Sequence, residues 1–347
     1  MGVDLGDLCV KRAITLESLS GRVIAIDAFN VLYQFLASIR QDDGTPLSDF
    51  KGRTTAHLSG LFYRTSKLIQ NGIRPVYVFD GTPSALKGRT QEARAEVKRK
   101  AEEKWKQALV EERFEDAKKY ASGTSRLTGA MVEESKMLLT GMGIPWVQAP
   151  GEGEAQAAMM VQKGQAYAVG SQDFDALLFG TPVLVRNLSI TGRRKVPRQD
   201  RYIMVEPEEI NLRETLGALQ MEREKLIWIG ILLGTDFNEG VPRVGPKTAL
   251  KIIKEVDSLD ALRAYLKTKY DYEFEVEPEK VMEIFLRPNH ADVAEGPRWG
   301  AINEAEVTRI LVDEHDFARE RVEKILADIK VSFREKGAQK KLGDWFG

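Results

Sequence analysis

Four short apolar, β-branched runs constrain this chain more than any other feature: RVIAID at 22–27, PVYVFD at 75–80, AYAVG at 166–170 and PVLVR at 182–186. Each is continuously hydrophobic rather than alternating, and helical patterns separate them. Strands that are apolar on both faces belong to a sheet covered on each side by helices, so the pattern predicts an α/β fold with a mostly parallel central sheet. In open sheets of that kind ligands bind beyond the carboxyl ends of the strands. Two of the runs end there in an aspartate, Asp27 and Asp80.

The chain has 347 residues, 43% of them hydrophobic, enough for a large core in one big domain or two smaller ones. No apolar run approaches the roughly 18 residues of a membrane span, and MGVDLGDLCVKRA lacks the apolar stretch of a signal peptide, so a soluble, intracellular protein is expected. Cys9 is the lone cysteine, and His57, His290 and His315 are far apart in sequence. An intramolecular disulfide and thiolate zinc clusters are thereby excluded. Any metal site must rest mainly on oxygen, which favours magnesium or manganese.

Acidic residues recur at the ends of elements: Asp27, Asp80, the pair Glu152 and Glu154 in PGEGEAQAA, the pair Asp173 and Asp175 in GSQDFDALLFG, and Asp236 in LLGTDFNEG. Taken singly, each reads as a helix cap or turn residue. Together they are too many for simple acid–base work, and without a counter-charge they would repel one another. A set of this size makes physical sense around two divalent cations about 4 Å apart, which activate a water and stabilise a leaving oxygen in phosphodiester hydrolysis. Glu152 and Glu154 stand among glycines at the start of a helical run, where the backbone bends freely and the helix terminus favours anions.

The formal net charge of −1 announces no nucleic-acid partner, but its distribution is uneven. Arg186, Arg193, Arg194, Lys195, Arg198 and Arg201 face only Asp200 between residues 186 and 201, a local excess suited to a phosphate backbone or, more simply, to a solvated hairpin. Residues 85–120 read as an exposed, charged helical excursion whose narrow apolar stripe is Ala93, Val97, Ala101, Trp105 and Leu109. From Met221 the chain becomes mainly helical. The stretch GVPRVGPKTALKII predicts a hairpin turn feeding a helix with Pro246 at its first position, where free amides at Gly245 and the cations Lys247 and Lys251 make a sequence-independent phosphate site.

The motifs VDLGDL, DAFNVLYQFL at 27–36, VFDG at 78–81, APGEGEAQAA at 149–158, GSQDFDALLFG at 170–180 and GTDFNEG at 234–240 resemble, in order and along essentially the whole chain, those of the flap endonucleases. The resemblance implies a nuclease core with a helical arch and a helix-hairpin-helix element. It implies that Asp27, Asp80, Glu152, Glu154, Asp173, Asp175 and Asp236 hold two magnesium ions, with manganese as a substitute. Lys87 and Arg94, at the base of the arch, would then contact the scissile phosphate, and Tyr33 would stack on a base near the junction. The helix-hairpin-helix would grip duplex DNA, often through a monovalent cation. Here the sequence departs from the pattern, because Arg243, preceded by Pro242, stands where the motif has glycine; a guanidinium contact would replace the close backbone approach. Gln339, Leu342, Trp345 and Phe346 resemble a sliding-clamp (PCNA) binding box, with the apolar three on one side of a helical turn. No basic extension follows that box, so an archaeal source is expected.

The organisation expected is a nuclease region over 1–98, arch residues 99–115 within an arch of about 85–125, an internal nuclease region over 116–258 with the helix-hairpin-helix at about 225–260, a helical region over 259–333 and a clamp-binding tail over 334–347. The expected activity is removal of 5′ flaps, with 5′–3′ exonuclease action, in Okazaki fragment maturation and long-patch base excision repair, by a chain that is monomeric when free. Two alternatives stand beside it. A metal-dependent ribonuclease on a related acidic core needs neither the arch nor the hairpin after Gly240. A non-catalytic junction-binding clamp adaptor predicts a missing carboxylate, and all seven are present.

Overall fold

The computed structural model describes residues 2–41, 44–111, 120, 122–195, 201–293 and 295–343. In chain order the first elements are β1 (Lys11–Ala13), β2 (Val23–Asp27), α1 (Ala28–Ser38), α2 (Ala56–Gln70), β3 (Arg74–Phe79) and α3 (Gly88–Val110). Next come α4 (Gly129–Gly141), β4 (Trp146–Gln148), α5 (Gly153–Gln162), β5 (Ala168–Gly170), α6 (Asp175–Leu178), β6 (Val183–Arg186), β7 (Gly192–Lys195), β8 (Tyr202–Val205) and β9 (Glu208–Asn211). Helices complete the chain: α7 (Leu212–Leu219), α8 (Arg223–Leu233), α9 (Pro246–Glu255), α10 (Leu259–Tyr270), α11 (Pro278–Leu286), α12 (Glu304–Thr308) and α13 (Arg319–Gly343). The fold is α/β with a mostly parallel sheet, and all four apolar runs are strands. No described helix is long and apolar enough to cross a membrane.

The chain divides into two compact units. One comprises Met1–Ile14, Val78–Glu92 and Gln148–Ala294. Its strands run in the order β1-β9-β6-β5, with β5 parallel to β6 and the edge formed by antiparallel β9 and β1. A separate ribbon pairs β7 with β8, Arg193 opposite Met204 and Lys195 opposite Tyr202. Helix α8 is buried nearly all round, from Leu226 to Leu232, as its unbroken IWIGILL run dictates. Helix α9 is amphipathic instead: Ala249, Ile252 and Ile253 are buried while Lys247 and Lys251 are exposed. Phe285 of α11 closes the core beneath these helices, 4.8 Å from the Phe179 ring and 5.5 Å from that of Phe237.

The second unit comprises Thr15–Tyr77, Ala93–Val147 and Glu295–Gly347, with strand order β2-β3-β4. The bonds Tyr77 N–H to Pro145 and Ala149 N–H to Phe79 advance along both strands in the same sense, so β3 and β4 are parallel. Helix α1 starts where Asp27 caps it, its carboxylate accepting from Asn30 N–H at 3.0 Å, and buries Val31, Leu32, Phe35 and Leu36 at helical spacing. That face meets α2, where Gly60 lies against Phe35 so closely that a Cβ would fall inside the ring's van der Waals shell. Helix α3 is a solvated element as its charge predicts, with Val97 of the narrow stripe 67% exposed.

Gly60→Ala gains helix propensity of about 1 kcal/mol but must displace the Phe35 ring. The net effect expected is a loss of about 1–3 kcal/mol in urea unfolding at unchanged m-value. An unchanged or raised midpoint would contradict this account of the α1–α2 packing.

Candidate active site

Six of the carboxylates lie on loops and helix starts of the first unit: Asp80 after β3, Glu152 and Glu154 at the start of α5, Asp173 and Asp175 after β5, and Asp236 after α8. The loop after β3 and the loop before α5 are zipped together: Gly81 N–H donates to Gly151 O at 2.7 Å, Thr82 N–H to Pro150 O at 3.2 Å, and the Gln148 amide to Asp80 O at 2.6 Å. Gly153 N–H, at the start of α5, donates to Asp80 Oδ1 at 2.6 Å. Only glycine fits at Gly81 and Gly153, since a Cβ would strike the 149–150 backbone in the first case and the Asp80 carboxylate in the second. Glu152 precedes the helix and Glu154 lies in its first turn, where the partial positive charge of the helix terminus favours them. Glu154 is held by the Ser171 hydroxyl at 2.9 Å, and the same hydroxyl accepts from Asp173 N–H at 3.2 Å.

Asp175 opens the one-turn α6 after β5. Val3 N–H donates to its Oδ1 at 2.7 Å across 172 residues of sequence, and Gly2 packs so tightly on Asp173 and Asp175 that no side chain fits there. Arg186 braces this loop, its guanidinium donating to Gln172 O at 3.0 Å and lying 4.2 Å over the Phe174 ring. Asp236 sits on the loop after α8, which is closed by Asn238 donating to Ile231 O at 2.8 Å and anchored by Phe237, 2% exposed.

Lys87 brings part of this set together. On the turn that precedes α3, its ammonium pairs with Glu152 Oε2 and lies 3.3 Å from Asp236 Oδ2 and 5.5 Å from the centre of the Phe237 ring. Burial pushes Asp80 up to about 6; Lys87 works against that shift, while Glu152 and Asp236 add to it. Asp175 is pushed up to about 7, again by burial, with Asp236 and Asp173 adding to it. Burial would lower the Lys87 ammonium, but Glu152 and Asp236 outweigh it and hold it above the usual lysine value. Glu152 Oε1 is buried with no hydrogen-bond partner among the described residues. Among those residues, no three acidic, His or Cys side chains converge closely enough to enclose an ion as they stand. Among the described contacts, the Lys87 ammonium bridges two of the carboxylates, Glu152 and Asp236.

Asp27 belongs to the second unit, buried at the cap of α1. Tyr33 departs from an ordinary core position of an amphipathic helix: it is 37% exposed, with the Lys98 ammonium 4.8 Å from its ring centre. Arg94 stands in α3, and Arg193, Arg194 and Lys195 in β7; their side chains lie outside the described residues, as do those of Gln339 and Leu342, and Trp345 and Phe346 lie outside them altogether. The hairpin element is present as α8, a loop and α9, with Gly245 as the cap and Pro246 at the first position. Arg243, Lys247 and Lys251 are exposed along it. Arg243 adopts φ 67°, so the left-handed backbone that the glycine of the motif would supply survives its replacement. The contacts of Val3, Gly2, Ser171 and Arg186 escaped sequence reasoning. GSQDFD did put Ser171 beside two acids, but nothing local marks Val3.

The XPG N-terminal domain matches residues 5–101 and the XPG I-region residues 143–236. Flap endonuclease 1 of Aeropyrum pernix is 51% identical, covering 100% of both chains, and that of Pyrococcus abyssi is 50% identical over 100% of this chain and 98% of its own. Among solved structures, flap endonuclease-1 from Methanococcus jannaschii is similar at a TM-score of 0.74 and 40% identity, over 96% of this chain and 100% of that one. The catalytic core of Rad2 in complex with DNA substrate shares the fold at a TM-score of 0.70 and 24% identity, over 95% of this chain and 100% of that one.

A non-glycine residue in the left-handed region is strained by about 1 kcal/mol or more. Arg243→Gly is therefore expected to raise stability by about 1 kcal/mol while weakening duplex binding and making it less salt-dependent. Lower stability, or binding and salt dependence both unchanged, would overturn this reading of the loop.

Proposed function

This chain belongs to the flap endonuclease 1 family, a metal-dependent nuclease family, and on that premise we propose how its residues divide the work of cutting a 5′ flap. It is a structure-specific 5′ flap nuclease, and thus a phosphodiester hydrolase. The seven carboxylates Asp27, Asp80, Glu152, Glu154, Asp173, Asp175 and Asp236 are assigned as the holders, direct or through water, of two magnesium ions, with manganese as a substitute. The donors fit: all are oxygen, Glu152 keeps a buried oxygen without a partner among the described residues, and burial with mutual repulsion raises Asp80 and Asp175. When bound, the ions supply acidified water and neutralise charge as the phosphodiester is hydrolysed.

The chain's own residues orient the substrate. Lys87 and Arg94 contact the non-bridging oxygens of the scissile phosphate and stabilise the charge that builds there. The Gly245 amide with Arg243, Lys247 and Lys251 holds the duplex backbone without reading bases, and a monovalent cation at that turn is part of the same proposal. Tyr33, half-exposed with a lysine over its ring, offers a stacking face to an unpaired base, and Arg193, Arg194 and Lys195 add cationic charge along β7. The helix α3 is taken as one side of an arch that admits the single-stranded 5′ end. Gln339, Leu342, Trp345 and Phe346 are assigned to a sliding clamp. Flap removal in Okazaki fragment maturation and long-patch base excision repair, with 5′–3′ exonuclease action, is the role that follows. The observation that carries the catalytic assignment is the contact of Glu152 and Asp236 with one largely buried lysine, whose charge also acts on Asp80.

An end-labelled double-flap DNA, with matched single-strand, blunt-duplex and RNA hairpin controls, tests the proposal. Cutting at the flap base with magnesium and none with EDTA is expected, and Asp175→Ala should abolish it while largely sparing flap binding. Wild-type turnover by Asp175→Ala, or cutting that persists in EDTA, would overturn the site assignment.

A further inference from the structure

Lys87 does not stand clear of the carboxylates as a residue reserved for substrate would. Its side chain is only 14% exposed, its ammonium pairs with Glu152 Oε2, and Asp236 Oδ2 is 3.3 Å away. An ammonium this deep loses most of its hydration, and it stays because two carboxylates compensate for the loss. Those carboxylates are among the ones assigned to the metal ions. One oxygen of Glu152 is occupied by Lys87, and the other is buried with no partner among the described residues.

We propose that Lys87 is a built-in competitor for divalent metal, neutralising Glu152 and Asp236 until metal displaces it. The inference rests on the metal-binding reading of the cluster and goes beyond it, because it gives Lys87 a second task with an opposite sign. A divalent ion on the same oxygens would face a positive charge at contact distance, so the ammonium must withdraw when the ion arrives. Metal loading and release of the lysine towards the phosphate are then one event. A cation needed by the substrate is thus withheld from it until the site is loaded. The same contact keeps two partly buried carboxylates neutralised in the metal-free chain, which would otherwise be destabilised by their repulsion.

Manganese titration calorimetry on the full chain without DNA, near neutral pH, reads this directly, with turnover excluded by the absence of substrate. Lys87→Met removes the charge and keeps the methylenes, Lys87→Gln keeps a hydrogen-bond donor should the methionine variant fail to fold, and Lys87→Arg keeps the charge. We expect the neutral variants to bind manganese about tenfold tighter than wild type and the arginine variant to stay near wild type. We also expect the neutral variants to melt lower than wild type without metal and to gain more from saturating manganese. Equal or weaker manganese binding by both neutral variants would overturn the competitor role. Absence of saturable manganese binding in every protein, wild type included, would instead overturn the metal-binding reading on which it rests.

Discussion

Like charges buried together are the constraint on which this structure turns. Asp80, Glu152, Asp173, Asp175 and Asp236 are near enough to one another that burial and repulsion push two of them far above the ordinary carboxylate range. Such a cluster survives only if the surrounding backbone donates to it and a cation enters it. Gly153 N–H and Val3 N–H, the Ser171 hydroxyl and the Lys87 ammonium are those partners. Each demands something of the fold. The first requires a helix to begin at the 80s loop, the second requires the N-terminal segment to lie along Asp173 and Asp175, and the last requires α3 to start beside the cluster.

The glycines follow from the same demand. At Gly81 and Gly153 two loops approach until a methyl group would strike backbone or carboxylate, and at Gly2 the chain passes against two aspartates. These glycines are needed for close approach rather than for unusual dihedrals. Arg243 shows the other case: φ there is 67° with an arginine in place, so the turn is held by its surroundings, with Val241 buried and Val244 N–H bonded back to Val241 O.

Much of this was legible in the sequence because strand and acid coincide. RVIAID and PVYVFD are buried on both faces, read as strands, and end in Asp27 and Asp80; AYAVG runs into the loop carrying Asp173 and Asp175. The amphipathic pattern of PKTALKII likewise placed Lys247 and Lys251 on the open face of α9. What escaped depends on partners distant in the chain. The edge strand β1 reads KRA, with no apolar signature, and is a strand only because β9 pairs with it. Val3 reaches Asp175 from 172 residues away. Nothing local to Lys87 in the sequence signals that its ammonium rests between Glu152 and Asp236. Tyr33 sits among residues of helical spacing that suggest burial, yet falls on the side of α1 that stays half-exposed.

Crystals of the DNA-free protein grown with manganese and measured for anomalous scattering put the central claim to its most direct test. The account predicts anomalous peaks bonded to carboxylate oxygens that include Glu152 and Asp236, with the Lys87 ammonium withdrawn from both. Manganese bound elsewhere while Lys87 still rests on Glu152, or no peak at a saturating concentration, would contradict it.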